Sequence, residues 1–199
     1  MAPSEVDPAG FGETSKEVAT TVRSVIEAGA IGINIEDFVH ETKELYAVEK
    51  QVEKLKAIKA LGESMRIPLV INARTDALRF APGDQESKLK EAIRRGAAYR
   101  DAGADCVYPM GLTDAATISI FVKALNFPVN VMVRRGLPHL EELERLGVAR
   151  LSFGPTASYA AMGLLKRAAR EVLEKGTYES LIEGAITFDE LNSLAVPRS

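Results

Sequence analysis

The sequence predicts an α/β fold built on a parallel sheet, and three observations carry the prediction. Short apolar runs near 31–35, 68–73, 105–108, 128–132 and 149–153 alternate strictly with longer segments of helical periodicity. Glu27-Ala-Gly-Ala30, Asp101-Ala-Gly-Ala104 and Arg145-Leu-Gly-Val148 each run from a helix end through a glycine into a strand. Glycine permits the left-handed turn by which a helix passes directly into the next strand. No glycine-rich nucleotide fingerprint follows any strand, which counts against a Rossmann fold. Strands joined by helical crossovers are parallel and right-handed, so an open doubly wound sheet and a (β/α) barrel both remain.

Each element has a local reason. Residues 1–13 are polar and turn-rich and are expected to be irregular. Thr14-Ser15 caps a first helix with Glu17 in its first turn and Val18, Val22, Val25 and Ile26 as its apolar stripe. Gly29 stops it, and Ala30 to Ile35 is a strand ending in Glu36-Asp37. Phe38 to Tyr46 reads as a polar loop, and Val48 to Ser64 as a helix faced by Val52, Leu55, Ile58 and Leu61. Pro68 opens a strand that runs through Leu69 to Ile71 into Asn72, Arg74 and Asp76. Side chains alternate along a strand, so Asn72 and Arg74 point the same way. Helices are expected at about 86–102, 113–125, 138–146 and 156–174. The tail, 178–194, reads as two short helices, the second capped by Thr187. The expected organisation is an N-terminal segment 1–13, a β/α portion 14–175 and a helical tail 176–199.

Composition excludes several classes of function. With 46% hydrophobic residues, a net charge of −3 and no basic block, nothing points to nucleic acid or a membrane surface. The apolar runs are too short to span a bilayer, and the N-terminus lacks a secretory pattern. The single cysteine, Cys106, excludes an intrachain disulfide and fits a reducing, cytoplasmic setting. It falls inside a strand, as an inert core thiol would. His40 and His139 lack zinc-motif spacing.

In either architecture, sites form at the C-terminal ends of the strands. Those ends carry Asn34, Glu36 and Asp37; Asn72 and Arg74; Asn130 and Arg134; and Ser152-Phe-Gly154. Arg74 offers a planar fork suited to a carboxylate. One acidic side chain with amides near it suits Mg²⁺, which keeps most of its waters. A metal and an arginine around a small 2-oxo acid can stabilise an enolate.

Gly32-Ile-Asn-Ile-Glu-Asp37, Ile71-Asn-Ala-Arg-Thr-Asp76, Ala102-Gly-Ala-Asp105, Pro128-Val-Asn-Val131 and Leu146-Gly-Val-Ala-Arg-Leu-Ser-Phe-Gly154 occur in this order. Together they resemble the isocitrate lyase/phosphoenolpyruvate mutase superfamily, from about Gly10 to Leu173. The resemblance implies a (β/α)₈ TIM-type barrel, here a partial one of about five parallel strands with helices. It implies a Mg²⁺-dependent lyase, hydrolase or mutase that cleaves a C–C or P–C bond in a small 2-oxo or enol carboxylate. It also implies homo-oligomers that exchange their last barrel helix. Glu36 matches the acid that holds the metal through water, Arg74 the arginine that grips substrate, and Asn130, with Asn72, a substrate-side position.

The departures shape further expectations. A full barrel takes about 250 residues. The segment before Gly10 is too short for the superfamily's first three strands. In Glu5-Val-Asp-Pro-Ala-Gly-Phe-Gly12, Val6 and Pro8 stand where members carry acids, so Asp7 or Glu5 serves the metal only if the register slips. The loop after Asp37 has no cysteine, which argues against isocitrate and methylisocitrate lyases proper. His40 and Lys43 are its candidate acid–base groups, on a closing lid. The alternative is an inactive, truncated remnant that acts only by association with a full-length paralogue. An open arc should also leave apolar surface at Ile31, Ile33 and the inner face of the first helix.

Overall fold

A computed structural model describes residues 12–195. The chain divides after Ser152 into two compact units.

The first unit begins with α1 (Ser15–Glu27). Its start is a capping box: Thr14 Oγ1 accepts from the Glu17 amide at 3.2 Å, and Glu17 Oε2 accepts from the Thr14 amide at 3.0 Å. There follow β1 (Gly32–Glu36), β2 (Phe38–Val39), β3 (Glu44–Leu45), α2 (Val48–Met65), β4 (Val70–Thr75), α3 (Ala77–Phe80) and α4 (Gln85–Asp101). The unit is completed by β5 (Cys106–Pro109), α5 (Ala115–Leu125), β6 (Asn130–Met132), α6 (Leu140–Arg145) and β7 (Arg150–Ser152). Gly29, Gly103 and Gly147, the glycines of the repeated helix-to-strand turn, have φ of 96°, 98° and 83°. A side chain there would be strained.

The strands β1, β4 and β5 form one parallel sheet, and β6 pairs with β7 in parallel. A parallel bridge between Val107 and Val129 joins the two, giving the spatial order β1-β4-β5-β6-β7. In register, Asn34 lies opposite Asn72, Glu36 opposite Arg74, and Arg74 opposite Tyr108. The pleat sorts the side chains by face. Ile33, Ile35, Ile71, Ala73, Val107, Val129 and Val131 pack with the helices' Val22, Leu55, Ile58, Ile118 and Phe121 in one buried cluster. The residues between them, Asn34, Glu36, Asn72, Arg74 and Tyr108, form the other face.

Two expectations need correction. The segment after Asp37 is not simply a loop: β2 and β3 pair antiparallel, Phe38 with Leu45 and Val39 with Glu44. Ile31 is 60% exposed as expected, but Ile33 is fully buried. Ile33 belongs to the helix-covered face of β1, and the inner face of α1 is closed by Val18, Val22 and Ile26 in the same cluster.

The second unit comprises α7 (Thr156–Lys175), α8 (Glu179–Ile182) and α9 (Phe188–Ala195). Gly176, φ 69°, ends α7. Glu171 then accepts from Thr177 Oγ1 at 2.7 Å, from the amides of Glu179 and Ser180 at 2.9 Å each, and from Ser180 Oγ. These donors pull its carboxyl down to about 2, the Ser180 hydroxyl most strongly. Thr187 Oγ1 accepts from the Glu190 amide at 3.2 Å, as an N-cap would. Tyr159, Met162, Leu165, Leu173, Phe188 and Leu194 are exposed apolar residues of this unit.

Candidate active site

The strand ends of β1 and β4 bring Glu36 and Arg74 together. Arg74 Nη1 lies 2.8 Å from Glu36 Oε2. On its other edge, Arg74 Nε and Nη2 donate to Asp76 Oδ2 and Oδ1 at 2.7 and 3.2 Å. The Tyr108 ring lies 5.9 Å from the guanidinium. Burial opposes the Arg74 charge, but Asp76 and Glu36 outweigh it and raise the pKa. The fork is therefore a permanent cation.

A buried network fixes this end of β4. Asp37 is fully buried and takes four donors. They are Thr75 Oγ1 at 2.8 Å, the Asp76 amide at 2.9 Å, Arg95 Nη1 at 3.0 Å and Tyr99 Oη at 2.6 Å. Arg95 also donates to Glu91 at 2.7 Å and to the Tyr46 carbonyl at 2.9 Å. Burial and the neighbouring Asp37 carboxylate hold the Tyr99 hydroxyl well above its usual pKa. Asp37 thus anchors Asp76, and Asp76 aims Arg74.

The other strand ends add amides and hydroxyls. Asn72 Nδ2 donates to Asn34 Oδ1, and Asn130 Nδ2 to Ser152 Oγ at 3.1 Å. Tyr108 is buried, which raises its pKa, with Arg74 and a Ser152 hydrogen bond pulling the other way.

The β2–β3 hairpin closes on the same end. His40 Nε2 contacts Glu36 Oε1. Phe38 stacks on Phe80 at 4.2 Å and meets His40 edge-on at 5.0 Å. Lys43 sits at the hairpin turn with φ 59°. It lines a cavity of about 580 Å³ with Glu44, Leu45, Phe80, Glu91 and Arg95.

Among the expected site residues, Glu36, Arg74 and His40 are thus joined through direct contacts, while Asn72, hydrogen-bonded to Asn34, and Asn130 stand on the same face. Asp7 and Glu5 lie outside the described residues. Among the described residues no group of three or more His, Cys, Asp or Glu side chains could hold a metal. Asp37 and Asp76 are committed to protein donors, which leaves Glu36. Mg²⁺ is commonly held by one or two carboxylates and its own waters, so Glu36 fits a water-mediated contact.

Arg95 and Tyr99, which reach Asp37 from 58 and 62 positions away, carry no local signal of that role. Asp76 had a signal, since it stands two residues beyond Arg74 on the same strand end. Tyr108 was hidden within an apolar run, although its place opposite Arg74 follows from the register.

The sequence profile of the phosphoenolpyruvate phosphomutase family matches residues 6–173. The 2-methylisocitrate lyase of Escherichia coli (strain K12) is 32% identical over 193 residues, which cover 92% of this chain and 62% of that protein. The 2,3-dimethylmalate lyase of Eubacterium barkeri is 31% identical, with coverages of 93% and 65%. The chain thus spans less than two thirds of the length of these curated relatives. A crystal structure from Burkholderia cenocepacia J2315, provisionally named a lyase/mutase, superposes with a TM-score of 0.88 at 36% identity. That match covers 98% of this chain and 70% of the other. Phosphonopyruvate hydrolase gives 0.76 at 26% identity, over 96% and 67%. The profile covers the strand ends just described as well as the helices behind them, so the chain belongs to the phosphoenolpyruvate phosphomutase family of the isocitrate lyase/PEP mutase superfamily, and its parallel strands are part of that superfamily's TIM-type barrel.

Proposed function

We propose that the chain carries a Mg²⁺-dependent lyase, hydrolase or mutase centre that cleaves a C–C or P–C bond in a small 2-oxo acid through an enolate. The observation that supports it is the pairing of Glu36 and Arg74 at adjacent strand ends. Arg74 grips the substrate carboxylate with the fork now facing Glu36, while Asp76 keeps its orientation. Glu36, released from Arg74, would hold Mg²⁺ through its waters. Bound Mg²⁺ would supply positive charge beside the oxygen on which the enolate charge develops. Asn72 and Asn130 orient the acid. His40, and Lys43 when the hairpin moves, hold or deliver a proton above the strand ends.

The names of the relatives, among them the oxaloacetate decarboxylase of Pseudomonas aeruginosa (strain LESB58) at 31% identity, favour small acids of this class. The exposed apolar residues of α7, Tyr159, Met162 and Leu165, suit a homo-oligomer that exchanges this helix. Among the described residues no helix is long and apolar enough to cross a membrane, and the free Cys106 fits the cytoplasm.

Incubation with Mg²⁺ and phosphonopyruvate or oxaloacetate, following pyruvate or oxalate, is the test. Turnover that disappears in Arg74→Ala is expected. A second reading is a silent chain acting by association with a longer relative. Absence of turnover together with stable mixed oligomers would establish that reading instead.

A further inference from the structure

The cavity of about 580 Å³ opens between the β2–β3 hairpin and the chain around α3 and α4. Among the described residues, none of Glu36, Asn72, Arg74 and Asn130 lines it. Its volume falls within the roughly 300–1,000 Å³ of small-molecule sites. Leu45, Phe80 and Pro82 give it an apolar wall. Phe80 stays 37% exposed although its ring stacks on Phe38.

The charges of the lining divide into a spent pair and an unspent pair. Glu91 accepts from Arg94 and Arg95 at 2.7 Å each, and Arg95 also donates to Asp37 and the Tyr46 carbonyl. The side chains of Lys43 and Glu44 take no hydrogen bond or ion pair among the described residues. Neighbours along a strand normally face opposite ways. Lys43, with φ 59°, breaks that alternation, and both residues line the cavity. A simple anion would meet Lys43 but also face Glu44 and Glu91. A simple cation would meet Glu44 but also face Lys43 and Arg95. An uncharged apolar molecule would leave both unspent groups without a partner. A zwitterion with an apolar body answers all three parts of the lining.

The hairpin that carries Lys43 and Glu44 is closed by few bonds. The Lys43 amide donates to the Val39 carbonyl and the Tyr46 amide to the Asp37 carbonyl, at 2.8 Å each. The same hairpin sets His40 on Glu36. A ligand held by Lys43 and Glu44 on one side and by Phe80 and Pro82 on the other would tie the hairpin down.

We infer that this cavity binds a small α-amino acid with an apolar side chain. Its carboxylate meets Lys43, its ammonium meets Glu44, and its side chain lies against Leu45, Phe80 and Pro82. The occupant pins the hairpin and so keeps His40 on Glu36. Neither the site nor its test depends on the role proposed for Arg74.

Titration calorimetry of the full chain with L-phenylalanine, 3-phenylpropionate and 2-phenylethylamine tests the inference. The second compound lacks the ammonium and the third lacks the carboxylate. Each should bind about fivefold more weakly than L-phenylalanine, the upper worth of roughly one exposed ion pair. Glu44→Gln should abolish the preference over 3-phenylpropionate, and Lys43→Gln the preference over 2-phenylethylamine. Both residues are exposed, so both variants should fold. Saturating L-phenylalanine should also slow amide hydrogen exchange at Lys43 and Tyr46. No binding of L-phenylalanine, or equal binding of all three compounds, would overturn the inference. Preferences that survive in both variants would place the ligand elsewhere and overturn it too. Binding with unchanged exchange at Lys43 and Tyr46 would overturn the pinning of the hairpin.

Discussion

Glu36 and Arg74 are register partners on β1 and β4, and the Arg74 fork reaches Glu36 Oε2 at 2.8 Å while its other edge stays on Asp76. The two clamps differ in kind. Asp76 is fully buried and held by its own amide to Asp37, so it is fixed. Glu36 shares its carboxylate with His40 on the hairpin and is the partner that a bound acid can displace.

The first prediction concerns that fork. In the active enzyme, Arg74→Ala should cost about 3–4 kcal/mol of transition-state stabilisation, the range seen when one preorganised donor is removed. Arg74→Lys should recover only part of it, because an ammonium cannot span a carboxylate and Asp76 together. The ratio of kcat/KM for the three proteins checks this.

Arg95→Met should destabilise the chain by about 3–5 kcal/mol, because it leaves Asp37 buried without its cation. Urea unfolding measures the loss. Asp37→Asn should destabilise as well, since its one amide oxygen can accept either from the Asp76 amide or from Thr75, Arg95 and Tyr99, and its NH2 then faces the remaining donors.

Lys54 gives a stability signature on the alkaline side. It is 3% exposed, its ammonium donates to the Gly12 carbonyl at 3.1 Å, and it lies 3.6 Å from the Tyr46 ring centre. Burial, aided by Lys50 and opposed by Glu13 and Glu17, lowers its pKa from 10.5 to about 8. Between these values the unfolded chain keeps a proton that the folded chain has released, so stability should rise with pH from about 8. Lys54→Met should flatten that rise in chemical denaturation. The window closes near pH 10, where Tyr99 and Tyr108, raised by burial, begin to lose stability as the unfolded chain ionises.

Glu171 acts at the opposite end of the scale. With its carboxyl near 2 in the folded unit, its contribution is complete above about 4.5 and is lost as pH falls toward 2. Amide hydrogen exchange at Glu179 and Ser180 should accelerate through that window, and Glu171→Gln should show fast exchange already at neutral pH.

The repeated helix–glycine–strand junctions made the order of elements legible, and strand alternation placed Asn72 and Arg74 on one face. The β2–β3 hairpin escaped because two-residue strands carry no measurable period. The burial of Ile33 was misjudged because missing barrel strands were expected to uncover it, whereas its own helices cover it. Arg95 falls within the helix expected at about 86–102, where nothing in the neighbouring sequence singles it out. What makes it structural is Asp37, 58 positions earlier, a pairing that only the folded backbone reveals.

The chain has no tryptophan and five tyrosines. Tyr108, with its ring 5.9 Å from the Arg74 guanidinium, therefore serves as a built-in optical probe. A bound acid that draws the cation off its face should perturb the near-ultraviolet absorption of that ring with no indole signal above it. Occupancy of the strand ends can thus be followed in unlabelled protein, before any product has been identified.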